Sequence, residues 1–359
     1  AFSTAIYGAR GANGVIIVTT KGGTEGKLTV SLNGYYGLKK IANKSALVPM
    51  DAQNFVRFQY ELASVRDNVS DQYEPYFGTF DDIDQYTGMK TNDWVDQVFG
   101  NQGSSYNTDI TISGGSDKVN WTAGYARMQD NAIMLGSSYT RDNLNLKSQY
   151  KPVKPLTFDF SVRYSKTRVN GSGANGINDS GTTSGNGRLK HAISYTPIPI
   201  SSAIQGVDEE ADYGDNAPPV QSVWDNDSRV NRSEWNANGA MTWEIVKNLK
   251  LKIEGGLDDY NQINDRFYGT TTYYVNNSAT IKGLPAAQYM NFDRMKYRNT
   301  NTLTFNFDDI MKSDCHHIDV LLGEEFIKTT SNTLTNWVEG FPDFFNSKMA
   351  WNFLSSGTA

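Results

Sequence analysis

The chain has 359 residues, 33 Lys+Arg against 39 Asp+Glu, a formal net charge of −6, and only 38% apolar residues. That acidic balance argues against phosphate-driven nucleic-acid binding, which needs a basic face. No run approaches the roughly 18 apolar residues of a membrane-spanning helix, and one cysteine, Cys315, excludes a disulfide framework or a multi-cysteine zinc site. The 17 Phe, 20 Tyr and 7 Trp argue against disorder. A membrane β-barrel stays open, because its strands hide their apolar residues at every second position.

The first segment, residues 4–20, reads TAIYGARGANGVIIVTT. Its glycines predict a tight turn, and Val15 to Val18 a buried strand. The spacing is not that of a phosphate-binding glycine loop, and no helix follows.

Beyond it, period-2 alternation recurs. Leu28, Val30, Leu32, Tyr36 and Leu38 alternate with polar residues, as do Ile110 and Ile112, and Trp121, Ala123 and Tyr125. The same holds for Leu144, Leu146 and Tyr150, for Phe158, Phe160, Val162 and Tyr164, for Leu249, Leu251 and Ile253, and for Leu303, Phe305 and Phe307. About nine or ten strands are expected in all. The links alternate in length. Short ones fall at Gly114 to Asp117, Lys151 to Pro155, Val246 to Asn248 and Ile310 to His316; long ones span about 41–103, 169–231 and 269–291, with a shorter one near 129–139. Outer-membrane barrels have this asymmetry and soluble sandwiches rarely do.

The long links carry helical signals. Phe55, Phe58, Leu62 and Val65 after Asp51 mark a capped amphipathic helix. Trp94, Val95, Val98 and Phe99 after Asn92 suggest a turn or two more. Leu189, Ala192 and Ile193 suggest a third helix, stopped by Pro197 and Pro199. The Gly/Ser/Asn-rich stretch 170–187 reads as loop.

Signs of bond-breaking chemistry are weak. Asp314, Cys315, His316 and His317 are adjacent, so on a strand they point to opposite faces and cannot converge on a metal. His191 stands alone. The carboxylate pairs Asp81-Asp82, Asp258-Asp259, Asp308-Asp309 and Glu324-Glu325 are also neighbours, whereas a glycosidase needs two carboxyls facing each other roughly 5–9 Å apart. No nucleophile elbow is present. Neither a metal, a cofactor nor a catalytic residue is assigned. The aromatics Trp94, Tyr76, Phe77, Trp224, Tyr273, Tyr274 and Trp337 lie in or near the long links; such rings either stack on sugar C–H faces or pack the loops' own cores and the interfacial girdle. Trp94, Trp224, Tyr273 and Tyr274 are the candidates for substrate contact.

Residues 4–21 closely resemble the end of the plug domain of SusC/RagA-type TonB-dependent outer-membrane transporters, through Ala5, Ile6, Tyr7, Gly8, Arg10, Gly11, Ala12, Asn13, Gly14, Val15, Thr19, Thr20 and Lys21. The resemblance continues in family order through VSLNGYYGLKK (30–40), TNDWVDQVF (91–99), YNTDITISGGSDKVNWTAGYARMQDNAIM (106–134), LKHAISYTPIPI (189–200) and HHIDVLLGEEF (316–326). It implies an all-β fold: part of a roughly 22-stranded antiparallel transmembrane β-barrel preceded by the C-terminal end of a plug domain. Residues 1–22 would close the plug and residues 23–359 would form the N-terminal part of the barrel, within a longer protein. Tyr7, Gly8, Arg10, Gly11, Asn13 and Gly14 would anchor the plug end mechanically. The resemblance further implies TonB-dependent nutrient uptake across the outer membrane of a Gram-negative bacterium, not enzymatic turnover. The substrate would be an oligosaccharide or, in some members, a peptide, handed over by a SusD-like surface lipoprotein. TonB with its energising complex, outer-membrane lipid and a homodimer of transporter–lipoprotein pairs complete the implied partners, with no nucleic acid. The alternatives are a soluble sugar-binding β-sandwich, in which every apolar face is covered, and a glycan-active enzyme.

Overall fold

In the computed structural model the described residues are 16, 26–171, 187–198, 218–276, 283–307 and 318–354. The segment carrying Tyr7, Gly8, Arg10, Gly11, Asn13 and Gly14, and the stretch with Asp314 to His317, lie outside them.

Nine strands form one antiparallel sheet in strict sequence order: β1 (Gly26–Lys39), β2 (Gly103–Gly115), β3 (Val119–Asn131), β4 (Ser138–Val153), β5 (Leu156–Asn170), β6 (Ser228–Val246), β7 (Leu249–Tyr268), β8 (Ala286–Asn306) and β9 (Asp319–Val338). Each strand pairs with the next along nearly its full length. No second sheet covers it among the described residues, which removes the sandwich alternative.

The links follow the expected asymmetry. At one end of the sheet are tight turns. Ser116 Oγ accepts from the Lys118 and Val119 amides between β2 and β3. Asn248 takes a φ of +72° between β6 and β7, a conformation that asparagine tolerates better than most residues. At the other end are the long links, 40–102, 132–137, 171–227 and 269–285.

Register sorts the side chains. One pairing row joins Ile110, Tyr125, Leu144, Tyr164 and Trp235; a neighbouring row joins Val30, Ile112, Ala123, Leu146, Val162, Ala237 and Leu257. Side chains alternate across a strand, so these rows share one face, called outward here. It is apolar and exposed on interior strands too: Leu144 is 49% exposed, Leu146 41% and Phe160 48%. Along β7 the outward run Leu249, Leu251, Ile253, Gly255, Leu257 gives way to Asp259 and Asn261. Its length is about 27 Å of strand, or about 20 Å of height at a tilt of roughly 40°, close to the ~25 Å apolar band of outer-membrane barrels. Aromatics flank it. Towards the long links the Tyr164 and Trp235 rings lie 4.4 Å apart, and towards the turns Tyr150 stacks on Phe158 at 6.4 Å.

The opposite face is polar, with Lys147, Asp159, Arg163, Lys252, Glu254 and Arg298 on neighbouring strands.

Candidate functional site

Two regions could meet a solute: the ordered assembly built by the long links, and the polar face of the sheet.

The first long link folds into helices α1 (Ala52–Val65), α2 (Val69–Gln72), α3 (Glu74–Phe77) and α4 (Trp94–Phe99). Asp51 caps α1, its carboxylate accepting from the Asn54 amide at 2.9 Å. That bond and the Asn54 side-chain amide hold its pKa below the usual carboxylate value. Val56, Tyr73, Phe77 and Ile83 bury a small core, with Ile198 of the 171–227 link packed into it. Burial pushes the Tyr73 phenol up to about 12. Thr79 and Asp82 form a capping box, and the Thr79 hydroxyl and amide lower the Asp82 pKa.

A second core joins several links. Val95, Val98 and Phe99 of α4 pack with Met134, with Ala192 of α5 (Arg188–Ser194) and with Val223 of α6 (Pro219–Asp225). Backbone bonds knit them: the Leu135 amide donates to Val98 O at 2.8 Å and the Asn92 amide to Pro197 O at 2.7 Å. α5 departs from expectation. Leu189 and Ile193 are exposed, while Arg188, His191 and Ala192 face inward. Arg188 is 1% exposed and donates to the Ser222 and Asn226 carbonyls at 3.2 and 3.3 Å. It thereby serves the C-terminal carbonyls of α6, as cations do at helix C-termini. His191 Nδ1 lies 3.4 Å from Ser222 Oγ. The alternation of apolar residues that located α5 could not reveal this, because the buried face is polar.

Asp225 is a further residue the sequence reading passed over. Its carboxylate accepts from the Thr271 amide at 3.0 Å and from Gln221 at 3.1 Å. A Cβ on Gly269 would lie 2.3 Å from Asp225 Cγ, so this approach of two links requires glycine there.

The candidate aromatics separate in this frame. Trp94 is half-buried; its indole N–H donates to Thr196 O at 2.8 Å and its ring meets Tyr195 edge-on at 5.6 Å. Tyr76 and Phe77 belong to the α1–α3 core. Trp224 is 47% exposed and lies over Gly136, whose φ is +70°. Tyr274 sits on α7 (Tyr273–Asn276) and forms a three-ring stack with Tyr268 and Trp337, with centroids 4.8–5.8 Å apart; its hydroxyl donates to Glu339 at 3.0 Å. The Tyr273 side chain lies outside the described residues. Among the described residues, the lined concavity of the sheet contains none of Trp94, Trp224 and Tyr274.

On the polar face, Lys147, Asp159, Arg163, Asn238, Lys252 and Arg298 line an open concavity of about 520 Å³. Glu254 accepts from Lys252 at 2.7 Å and Arg298 at 2.6 Å. Such a surface suits hydrated polar solutes. It carries no metal-binding group of His, Cys, Asp or Glu among the described residues, and Asp258 and Asp259, like Glu324 and Glu325, point to opposite faces. No described helix is long and apolar enough to cross a membrane.

A single antiparallel meander with an apolar outward face, aromatic flanks and a polar inner face has the architecture of an outer-membrane β-barrel wall. Solved structures agree: the fold matches the RagAB peptide transporter with a TM-score of 0.69 at 19% identity, over 99% of this chain and 40% of that one. It matches the RagAB peptide importer in its open-open state at 0.70 and 20%, over 100% and 40%. No family model matches. In sequence the chain is 26% identical over 368 residues to TonB-dependent receptor P3 of Formosa agariphila, covering 99% of this chain and 32% of that protein. It is 27% identical over 190 residues to TonB-dependent receptor SusC of Bacteroides thetaiotaomicron, covering 52% and 16%. The chain thus resembles TonB-dependent receptors of the SusC/RagA type, and these relatives are receptors and transporters rather than enzymes. It spans about a third of the length of the curated relative matched over its whole length.

Proposed function

We propose that this chain is part of an importer that takes up a nutrient across the outer membrane in a TonB-dependent way. The observation that carries this reading is the outward apolar band, left uncovered by any second layer among the described residues, while the long links bury Val56, Phe77, Val95 and Val98 in cores they share. The tight turns then face the periplasm and the long links the exterior. Residues 1–22 close a plug through Tyr7, Gly8, Arg10, Gly11, Asn13 and Gly14, and residues 23–359 belong to the barrel. A SusD-like lipoprotein sits over the long links and hands over an oligosaccharide, with a peptide as the second class, which the RagAB likeness supports. TonB supplies the energy from the periplasmic side, and two transporter–lipoprotein pairs associate. Among the candidate contacts, Trp224 offers the most accessible ring and Tyr274 contributes through its stack.

The test is fractionation and uptake. The intact protein is expected in the outer-membrane fraction, and deleting its gene should abolish TonB-dependent growth on one glycan or peptide class. Recovery in the soluble fraction would overturn the proposal.

A further inference from the structure

Beyond the aromatic row, the outward face carries charge, and the charge is not evenly spread. One pairing row runs Arg127 on β3, Asp142 on β4, Lys166 on β5 and Ser233 on β6. It lies two residues beyond the row of Tyr125, Tyr164 and Trp235, on the side of the long links. Arg168 stands two residues further along β5 on the same face. Strand spacing puts Arg127 and Lys166 about 10 Å apart, and Lys166 and Arg168 about 7 Å apart. All three are exposed. Arg127 is 3.4 Å from Asp142, which also accepts from the Tyr125 hydroxyl at 2.6 Å. Arg168 spends its Nε on Asn231 at 3.1 Å, which leaves its terminal amino groups as donors. The cluster has three cations and one carboxylate. Further round the sheet the same row continues as Asn261, Asp293 and Asn332, without a cation. The basic patch is therefore confined to β3–β6.

We propose that this sector binds the phosphorylated headgroup of a lipid in the outer leaflet, with Arg127, Lys166 and Arg168 as its phosphate contacts. The inference rests on the membrane orientation given under Proposed function. Charge complementarity supplies the headgroup site, and the position supplies the rest. The patch begins about 5 Å in height beyond the aromatic row, at headgroup depth, given strand rise and tilt. Immediately below it, Leu144, Leu146 and Phe160 present an exposed apolar wall for acyl chains, with half-buried Val162 between them. Near that wall, neither Gly239 nor Gly255, paired on the outward face, would bring an added Cβ within 4 Å of another atom, so a shallow trough opens there. A soluble anion would have no use for that wall.

The experiment uses the intact protein purified in detergent and measures binding of three probes by native mass spectrometry: a bis-phosphorylated glucosamine-disaccharide lipid, the same lipid without its phosphates, and inorganic phosphate. The wild type is expected to retain the phosphorylated lipid on the order of tenfold more tightly than the dephosphorylated one, a difference of about 1.4 kcal/mol. R127Q/K166Q/R168Q should lose that preference, and D293N should keep it. Equal retention of the two lipids by the wild type, or equal loss in D293N, overturns the proposal. Inorganic phosphate competing at the lipid's own concentration overturns the lipid as its source. A protein absent from the outer membrane overturns the membrane reading and this one together; a protein present there that ignores the phosphates overturns this one alone.

Discussion

The sheet and the long links place their apolar residues in opposite ways. In the links, Val56 and Tyr73 are fully buried, and Ile83 and Phe77 nearly so. In the sheet, Leu144, Phe160 and Trp235, all on interior strands, are 46–49% exposed, and polar residues line the opposite face. Both are built from the same amino-acid mixture by one rule, that apolar surface leaves water. The links bury it against themselves. The sheet has no partner layer among the described residues, so its apolar face is left uncovered; in the proposed function a bilayer covers it. Exposed apolar surface this extensive is rare on soluble monomers.

Substitutions can break that comparison. The largest effect is expected in a link core. Phe77→Ala should destabilise the α1–α3 unit by about 3–5 kcal/mol. Limited proteolysis should then cut within 40–102 while the sheet stays protected; loss of the whole barrel would show that the links are not a separate core. In the sheet, Leu146→Arg should cost roughly 2–4 kcal/mol of folding in lipid, the scale for arginine near the bilayer midplane. Its neighbour Asn145→Arg, on the inner face, should cost far less. The yield of heat-modifiable folded protein measures both, and equal costs would contradict the assignment of faces.

A smaller effect concerns pH. The Tyr73 phenol is raised from 10.0 to about 12 by burial, so the folded link favours the protonated form. The stability this gives is fully present below pH 10 and is lost as pH rises towards 12. Opening of the 40–102 link, followed by proteolysis, should accelerate across that window, and Tyr73→Phe should remove the step. An unchanged step in Tyr73→Phe would place its origin elsewhere.

The sequence was most readable where the medium changes at every second residue. β1, β5 and the first half of β7 alternate cleanly because one face is apolar and the other polar. β6 is less readable, since Ala237 and Gly239 occupy outward positions between Trp235 and Met241. In the far halves of β7, β8 and β9 apolar residues such as Ile263, Met290, Phe292 and Leu334 are scattered among polar ones on both faces, so periodicity gave no sign of their length. Helix α1 was legible from its Asp51 cap, but its packed face was not: Ala52, Val56 and Ala63 are buried, while Phe58 and Val65, expected on that face, are exposed. The inward face of α5 was not legible either, because Arg188 and His191 bury there against hydrogen-bond partners on α6. Of the site, the links that carry it could be located, but contacts such as Asp225 with Thr271 join segments far apart in sequence and leave no local pattern. The family resemblance supplied what periodicity could not, namely that the strands belong to a barrel wall.

The most direct test of the central claim is a single-cysteine scan of the intact protein in bilayers, with Cys315 and any cysteine beyond these 359 residues replaced by serine. A fluorophore at positions 144, 146, 162 and 251 should be quenched by nitroxide-labelled lipid and shielded from iodide. At positions 145, 163 and 252 the order should reverse. Alternating quenching along β4, β5 and β7 is the predicted result, and equal access of iodide to both faces would contradict it.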